Sequence, residues 1–307
     1  MRVSLGIIIV NWNAGEQLRD CLESIVAAGP DGFDLNRVIV VDNNSSDGSI
    51  NGLENVPLPL TVIRNTENLG FAAACNRAAK ETETDYLLFL NPDTLLFENS
   101  LTESLAHIED PGNRRIGIVG IQLVDDRGRI QRTCARFPRP SRFFCRMLGL
   151  DRLFGGVFKS HVMAEWDHTE SRDVDHVMGA FFLVRRSLFD DLFGFDERFF
   201  VYLEDLDFSY RAMQAGWRTS YLAAAQAYHK GGGTSEQVKA VRLFYSLRSR
   251  ILYGYKHFGW WPATALMLGT LFLEPVTRIM HAVLKGSLGQ VRDTLKGYAM
   301  LWASLPH

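Results

Sequence analysis

Apolar residues in the first half of the chain fall in unbroken runs, with helically spaced segments between them. Leu5–Val10 (LGIIIV), Arg37–Val41 (RVIVV), Leu60–Arg64 (LTVIR) and Asp85–Leu90 (DYLLFL) are such runs, the pattern of strands covered on both faces. Gly15–Ala28 carries Leu18, Cys21, Leu22 and Ile25 at helical spacing. Gly70–Lys80 is alanine-rich and helical, and a short helix begins near Asn99. Strands alternating with helices predict crossover units and an α/β fold, a Rossmann-like, mostly parallel central sheet flanked by helices.

The later pattern is less regular. Gly117–Asp125 and Val177–Arg186 read as strands, and Glu204–Gly216 as a helix with an acidic first turn. Arg127–Asp173 is basic, aromatic and aperiodic, a long loop region with short helices. From about Ser235 the chain reads as helix. Its apolar run Phe258–Leu273 opens on Trp260 and Trp261 and closes at Glu274-Pro275. It falls short of the roughly 20 residues that cross a bilayer. Lys256, Arg278, Lys285, Arg292 and Lys296 flank it, which fits an interfacial segment with cations at headgroup level; the other reading packs it on the main domain or in a homodimer. The expected division is 1–234, with halves 1–110 and 111–234 for nucleotide and acceptor, followed by a helical tail, 235–307.

A net charge of −2 in 307 residues gives no reason to expect nucleic acid. Met1-Arg2-Val3 runs straight into a strand, without the pattern of a signal peptide. Cys21, Cys75, Cys134 and Cys145 form no CxxC pair, as expected of reduced thiols in a cytoplasmic protein.

In parallel sheets ligands sit beyond the carboxyl ends of the strands. Here those ends carry Asn11 and Asn13, then Asp42, then Asn91-Pro92-Asp93. A dinucleotide fold needs GxGxxG after the first strand, and NWNAGEQL has only Gly15. Asp42 reads either as a partner for a ribose or base, or as a helix cap, for which Asp47 is the stronger candidate. Gly70 opens a helix whose small face and free N–H groups suit a phosphate. Asp93 suits a divalent cation, with Asn91 adding a neutral oxygen or orienting it; a simple turn is the alternative. In GFDERFFVYLEDLDF, Asp196, Glu204, Asp205 and Asp207 sit among aromatic residues, where a carboxyl pKa rises and suits a general base. His229, Lys230 and Gly231 begin a cationic, glycine-rich loop, with His229 as a metal or phosphate contact.

Together IIIVNWN, VVDNNSSDGS, NLGFAAACN, LNPDT, VMGAFFLVRR, GFDERFFVYLEDLDFSYRAMQAGW and YHKGGGTS resemble, in order and spacing, the inverting glycosyltransferases of family 2 with the GT-A fold. The resemblance covers about Val3–Ser235. It implies nucleotide binding by Asn11, Asn13, Asp42, Asn68, Gly70, Asn76 and Asn91. It makes Asn91-Pro92-Asp93 a variant of the metal-binding DxD motif, with Asp93 and His229 holding Mg2+ or Mn2+. Asp205 matches the general base, with Glu204 beside it. Asp196, Glu204 and Trp217 fall on the acceptor side, and Lys230 and Gly231 on the diphosphate loop. Asn91 replaces an acidic residue and lowers the charge at the ion. The variant resembles bacterial rhamnosyltransferases of cell-wall and O-antigen assembly. The implied donor is dTDP-L-rhamnose or a UDP-sugar, and the acceptor a lipid-linked glycan at the inner face of the plasma membrane. A silent nucleotide-sugar-binding subunit is the alternative.

Overall fold

The computed structural model describes residues 2–150, 162–231 and 238–305. It divides into two compact units. The first takes Met1–Arg136, Val162–Glu197 and Glu204–Thr234, the second Phe137–His161, Arg198–Leu203 and Ser235–His307.

The strands are β1 (Ser4–Asn11), β2 (Asp34–Asp42), β3 (Leu60–Arg64), β4 (Tyr86–Leu90), β5 (Thr94–Leu96), β6 (Ile116–Val124), β7 (Cys134–Ala135), β8 (Arg172–Val174), β9 (His176–Val177), β10 (Phe181–Arg185) and β11 (Arg218–His229). The helices are α1 (Gln17–Ala28), α2 (Phe71–Ala79), α3 (Ser100–Glu109), α4 (Pro140–Met147), α5 (Arg186–Asp191), α6 (Glu204–Gln214), α7 (Lys239–His257), α8 (Trp260–Leu268), α9 (Glu274–Leu284) and α10 (Leu288–Ala303).

The main sheet runs β3-β2-β1-β4-β10-β6-β11-β5, with β8 also on β11, and β7 and β9 form a small second sheet. β1, β2, β3 and β4 are mutually parallel, and β6 is parallel to β11, while β10 runs against β4 and β6. The predicted α/β sheet is therefore present. The unbroken run in β1 is explained by cover on both faces: Leu5, Ile7 and Ile9 enter one core, Ile8 and Val10 the other. Ala72, Ala74 and Ala78 of α2 pack into this second core, so the small face of that helix serves close packing on the sheet.

The long strand β11 has no counterpart in the sequence prediction. Its AAAQA centre is poor in strand-forming residues, and its register on β6 jumps between Leu222 and Gln226.

Beside the C-terminal helices, the second unit takes α4 and 198–203. The reason is aromatic packing within it: Phe143 lies 6.1 Å from Phe258, and Phe200 stacks on Tyr245 at 4.4 Å. Loop composition alone carries no record of such partners. The apolar helix was expected to stop at Glu274-Pro275, yet it runs as one 25-residue helix, Trp260–Leu284. A π-helical turn at Gly269–Leu273 widens the helix just before Pro275 and absorbs its missing N–H. Glu274 is buried there, ion-paired to Arg250 of α7 and to Arg278.

Candidate active site

β1, β2, β3, β4, β6 and β11 point the same way, so their carboxyl ends share one edge with the amino ends of β5 and β10. From β2 to β11 that edge spans five strand spacings, about 24 Å.

At one end, Asn11 and Asp42 are register partners. Both are buried, and Asn11 Nδ2 donates to Asp42 Oδ1 at 2.8 Å. Ser45 N–H donates to Asp42 Oδ2 at 3.2 Å. Asn11 Oδ1 is buried with no partner of its own. Asn13 adopts a left-handed φ of 53° and accepts from Ser46 N–H at 2.8 Å. Asp47 caps no helix. Its Oδ2 accepts from Gly15 N–H at 2.7 Å and Oδ1 from Ser49 N–H at 3.0 Å. Burial raises its pKa, and these bonds outweigh that and lower it. Asp47 thus ties the loop after β1 to the loop after β2, which needs no helix start.

Beside this pair lies a polar ladder, with Asn43 and Asn65 buried, that sequence reasoning missed. Asn65 Nδ2 donates to Asn43 Oδ1 at 2.7 Å, Asn43 Nδ2 to Gly70 O at 3.1 Å, and Arg77 bonds Asn65. Asn68 Oδ1 accepts from Gly70 N–H at 2.9 Å, which fixes the entry to α2. Asn76 departs from its expected nucleotide role. Its Nδ2 donates to Phe195 O at 2.8 Å and Glu197 Oε1 at 3.0 Å, and its Oδ1 accepts from Phe195 N–H at 2.9 Å. That clamp holds the backbone of Phe195 and the side chain of Glu197, on either side of Asp196, which is half-buried. Both amide N–H groups are spent within the fold, so the side chain has no donor left for a nucleotide.

In the middle of the edge, Thr94 N–H donates to Asn91 O at 3.1 Å, closing a turn with Pro92 at its second position. Asn91 N–H donates to Ala180 O at 3.0 Å. Asp93 Oδ1 faces His229 Nε2 at 3.4 Å, and Lys230 N–H donates to Asp93 O at 3.1 Å. His229 is oriented by Gln131: Nε2 of the amide donates to His229 O at 2.5 Å, and its Oε1 meets ring Nδ1 at 3.1 Å. That pairing keeps the ring proton on Nδ1 and leaves the Nε2 lone pair toward Asp93. Adjacent ligands on an octahedral cation lie about 3 Å apart, so Asp93 and His229 fit a shared divalent ion. Among the described residues no three His, Cys, Asp or Glu converge. Remaining positions would therefore fall to ligand oxygens and water, as is usual for ions that bridge phosphates. Lys230 and Gly231 follow at the mouth, and Gly232–Ser235 lie outside the described residues.

Asp205 stands in the second residue of α6. Gly179 N–H donates to its Oδ2 at 2.9 Å, and His176 Nε2 lies 3.6 Å from the same oxygen. Gly179 is bonded covalently to Ala180, whose carbonyl holds Asn91. One dipeptide therefore supports both the cation turn and the candidate base. Glu204 goes elsewhere. It is 6% exposed and its Oε2 has no partner. Burial, then the charges of Asp205 and Asp207, push its pKa well above normal. Burial, with a contribution from Glu204, likewise raises the Cys75 thiol of α2. The raised carboxyl expected in the aromatic setting is thus Glu204, turned into the core, and acceptor binding by Glu204 is not supported. Asp207 is fully buried against Arg211 at 2.8 Å. Arg211 also donates to Leu192 O and Gly194 O, at 2.7 and 2.8 Å, which anchors α6.

Trp217 is misassigned in the sequence reading. It precedes Arg218, the first residue of β11, while His229 is the last. Twelve strand residues separate the two ends, on the order of 35 Å. Trp217 instead covers Gly117, where an added Cβ would meet its ring at 3.1 Å.

Comparison with known proteins bears on the family and the fold. The Glycosyl transferase family 2 profile matches residues 6–193. The chain is 26% identical over 309 aligned positions to the N-acetylglucosaminyl-diphospho-decaprenol L-rhamnosyltransferase of Mycobacterium tuberculosis, covering 94% of this chain and 95% of that one. It is 31% identical over 153 positions to rhamnosyltransferase WbbL of Escherichia coli K12, covering 49% of this chain and 54% of that protein. The mannosyltransferase PcManGT of Pyrobaculum calidifontis, solved with GDP-Man and Mn2+, superposes with a TM-score of 0.57 at 17% identity, over 98% of this chain and 81% of that one. TarS 1–349 of S. aureus, solved with UDP-GlcNAc, gives 0.53 at 17% identity, over 100% and 82%. These neighbours share the GT-A fold. With its profile match spanning more than half the sequence, the chain belongs to glycosyl transferase family 2 and is a rhamnosyltransferase-like glycosyltransferase.

Proposed function

We propose that the protein transfers L-rhamnose from dTDP-L-rhamnose to a hydroxyl of a lipid-linked glycan, with inversion at the anomeric carbon. The observation that carries this reading is the Gly179–Ala180 dipeptide, which bonds Asp205 on one side and Asn91 on the other. A base and a leaving-group site must face one reacting carbon, and adjoining residues give them one frame. Asp205 takes the proton of the acceptor hydroxyl as its oxygen attacks. Asp42 and Asn11 hold the nucleoside. Asp93 and His229 would hold Mg2+ or Mn2+, which when bound neutralises charge on the departing diphosphate. Lys230 adds a cation at the mouth. The relatives named for rhamnosyl transfer, one of them to a decaprenol-linked acceptor, support this donor and acceptor class.

The tail supports a position on the inner face of the plasma membrane. Trp261, Phe272, Leu284 and Leu288 are 78, 63, 82 and 83% exposed, and Lys285, Arg292 and Lys296 are exposed near them. An apolar face rimmed by cations suits anionic lipid. Glu274, buried midway along the long helix and ion-paired to Arg250 of α7 and to Arg278, favours lying on the bilayer over crossing it.

Asp205→Asn tests the chemistry. Rhamnosyl transfer should fall by about 10^3-fold, while thermal stabilisation by the donor with Mn2+ persists. Equal activity in both proteins refutes the base. Donor binding without turnover toward any polyprenyl-linked acceptor in the wild type favours a silent binding subunit.

A further inference from the structure

The geometry points to His176 as a positioning residue for the base: its ring holds Oδ2 of Asp205 so that the other carboxylate oxygen meets the acceptor. The inference rests on the transferase reading and adds a residue to it. His176 opens the short strand β9 and is 6% exposed. Its Nδ1 lies 3.0 Å from Ser209 Oγ, one turn along α6 from Asp205. Ser209 Oγ also stands 3.0 Å from Asp205 O. When that hydroxyl turns its proton to Nδ1, the ring proton sits on Nε2 and is directed at Asp205 Oδ2, 3.6 Å away. Hydrogen bonds to catalytic groups are commonly long before substrate binds and shorten in the complex.

The surroundings favour a neutral donor. Burial lowers the His176 pKa, against the opposing charges of Asp205 and Asp175. Charged groups nearby on α6 and beyond β7 are ion-paired or raised by burial. On α6, burial raises the Glu204 carboxyl well above its usual range and Asp207 is bonded to Arg211. Beyond β7, which pairs with β9, Arg136 is bonded to Glu165. The Gly179 N–H supplies a second donor to Oδ2. With His176 drawn in, two donors on Oδ2 restrict the rotation of the carboxylate, while Oδ1 accepts from Leu206 N–H at 2.8 Å and keeps a second lone pair for the acceptor.

The test is the pH profile of kcat/KM. His176→Phe removes the donor and keeps the ring volume. The acid limb should move up by about one pH unit and the plateau fall about 10-fold, with KM for the donor sugar unchanged. His176→Gln, which restores an N–H at similar reach, should return the limb toward its starting place. If His176→Phe does not fold, Ser209→Ala carries the same test, because it frees Nδ1 and moves the limb in the same direction. An acid limb that stays put in a folded variant overturns the inference. It does so without touching the transferase reading, provided that Asp205→Asn has abolished transfer. Activity surviving in Asp205→Asn overturns the transferase reading itself.

Discussion

Gly179 and Asp205 meet so closely that a Cβ added at 179 would stand 2.9 Å from Oδ2 of the carboxylate. The atom in the way is the end of a rotatable side chain, not backbone. Gly179→Ala should therefore turn the Asp205 carboxylate aside at little cost to the fold. Activity is expected to fall about 100-fold with a melting temperature within about 2 °C of wild type. A large loss of stability, or full activity, contradicts the arrangement.

Gln131 grips His229 at both its carbonyl and its ring. Gln131→Met removes both bonds and lets the imidazole turn. Manganese affinity, read by EPR titration in the presence of dTDP, should weaken about 10–100-fold. An unchanged titration means that His229 is oriented by other groups or holds no ion.

Glu204 gives a pH dependence with a definite sign. Its folded carboxyl stays protonated above the ordinary 4.5 because of burial first and the Asp205 and Asp207 charges second. Between the unfolded and folded pKa the native state binds the extra proton. The stability this confers is complete below about 4.5 and is lost as pH rises through the folded value. Glu204→Gln removes that loss. The variant should melt about 2–4 °C higher than wild type at neutral pH, and the gap should close toward pH 4.

The lipid surface is tested with Trp261, Leu284 and Leu288 changed together to glutamate. Flotation with anionic vesicles should decline at least about 10-fold, and the melting temperature should hold. A wild type that does not float, or a variant whose only change is loss of a dimer, replaces lipid with a second copy of the chain.

The sheet was legible because buried parallel strands write themselves as apolar runs: Leu5–Val10 needs no tertiary information. The polar edge followed from strand direction, and so did Asp42 and Asp93. What was not legible depended on contacts between distant positions. Glu204 and Asp205 are neighbours on a helix, so sequence says that they diverge but not which one enters the core. Gln131 and His229 are separated by 98 positions, and His176 reaches Asp205 only through the fold. Trp217 was placed on the acceptor side by the resemblance; a whole strand separates it from His229. The alanines at the centre of β11 hid that strand altogether.

The Gly179–Ala180 dipeptide acts as a jig. Successive Cα atoms are held about 3.8 Å apart by covalent bonds, so in the proposed mechanism the reach from proton acceptor to leaving-group anchor is machined into the backbone, and a side chain added at Gly179 would spoil it. A lineage adapting this protein to a bulkier sugar would have to carve room around the ring, because the working gap between its two tools is already cut.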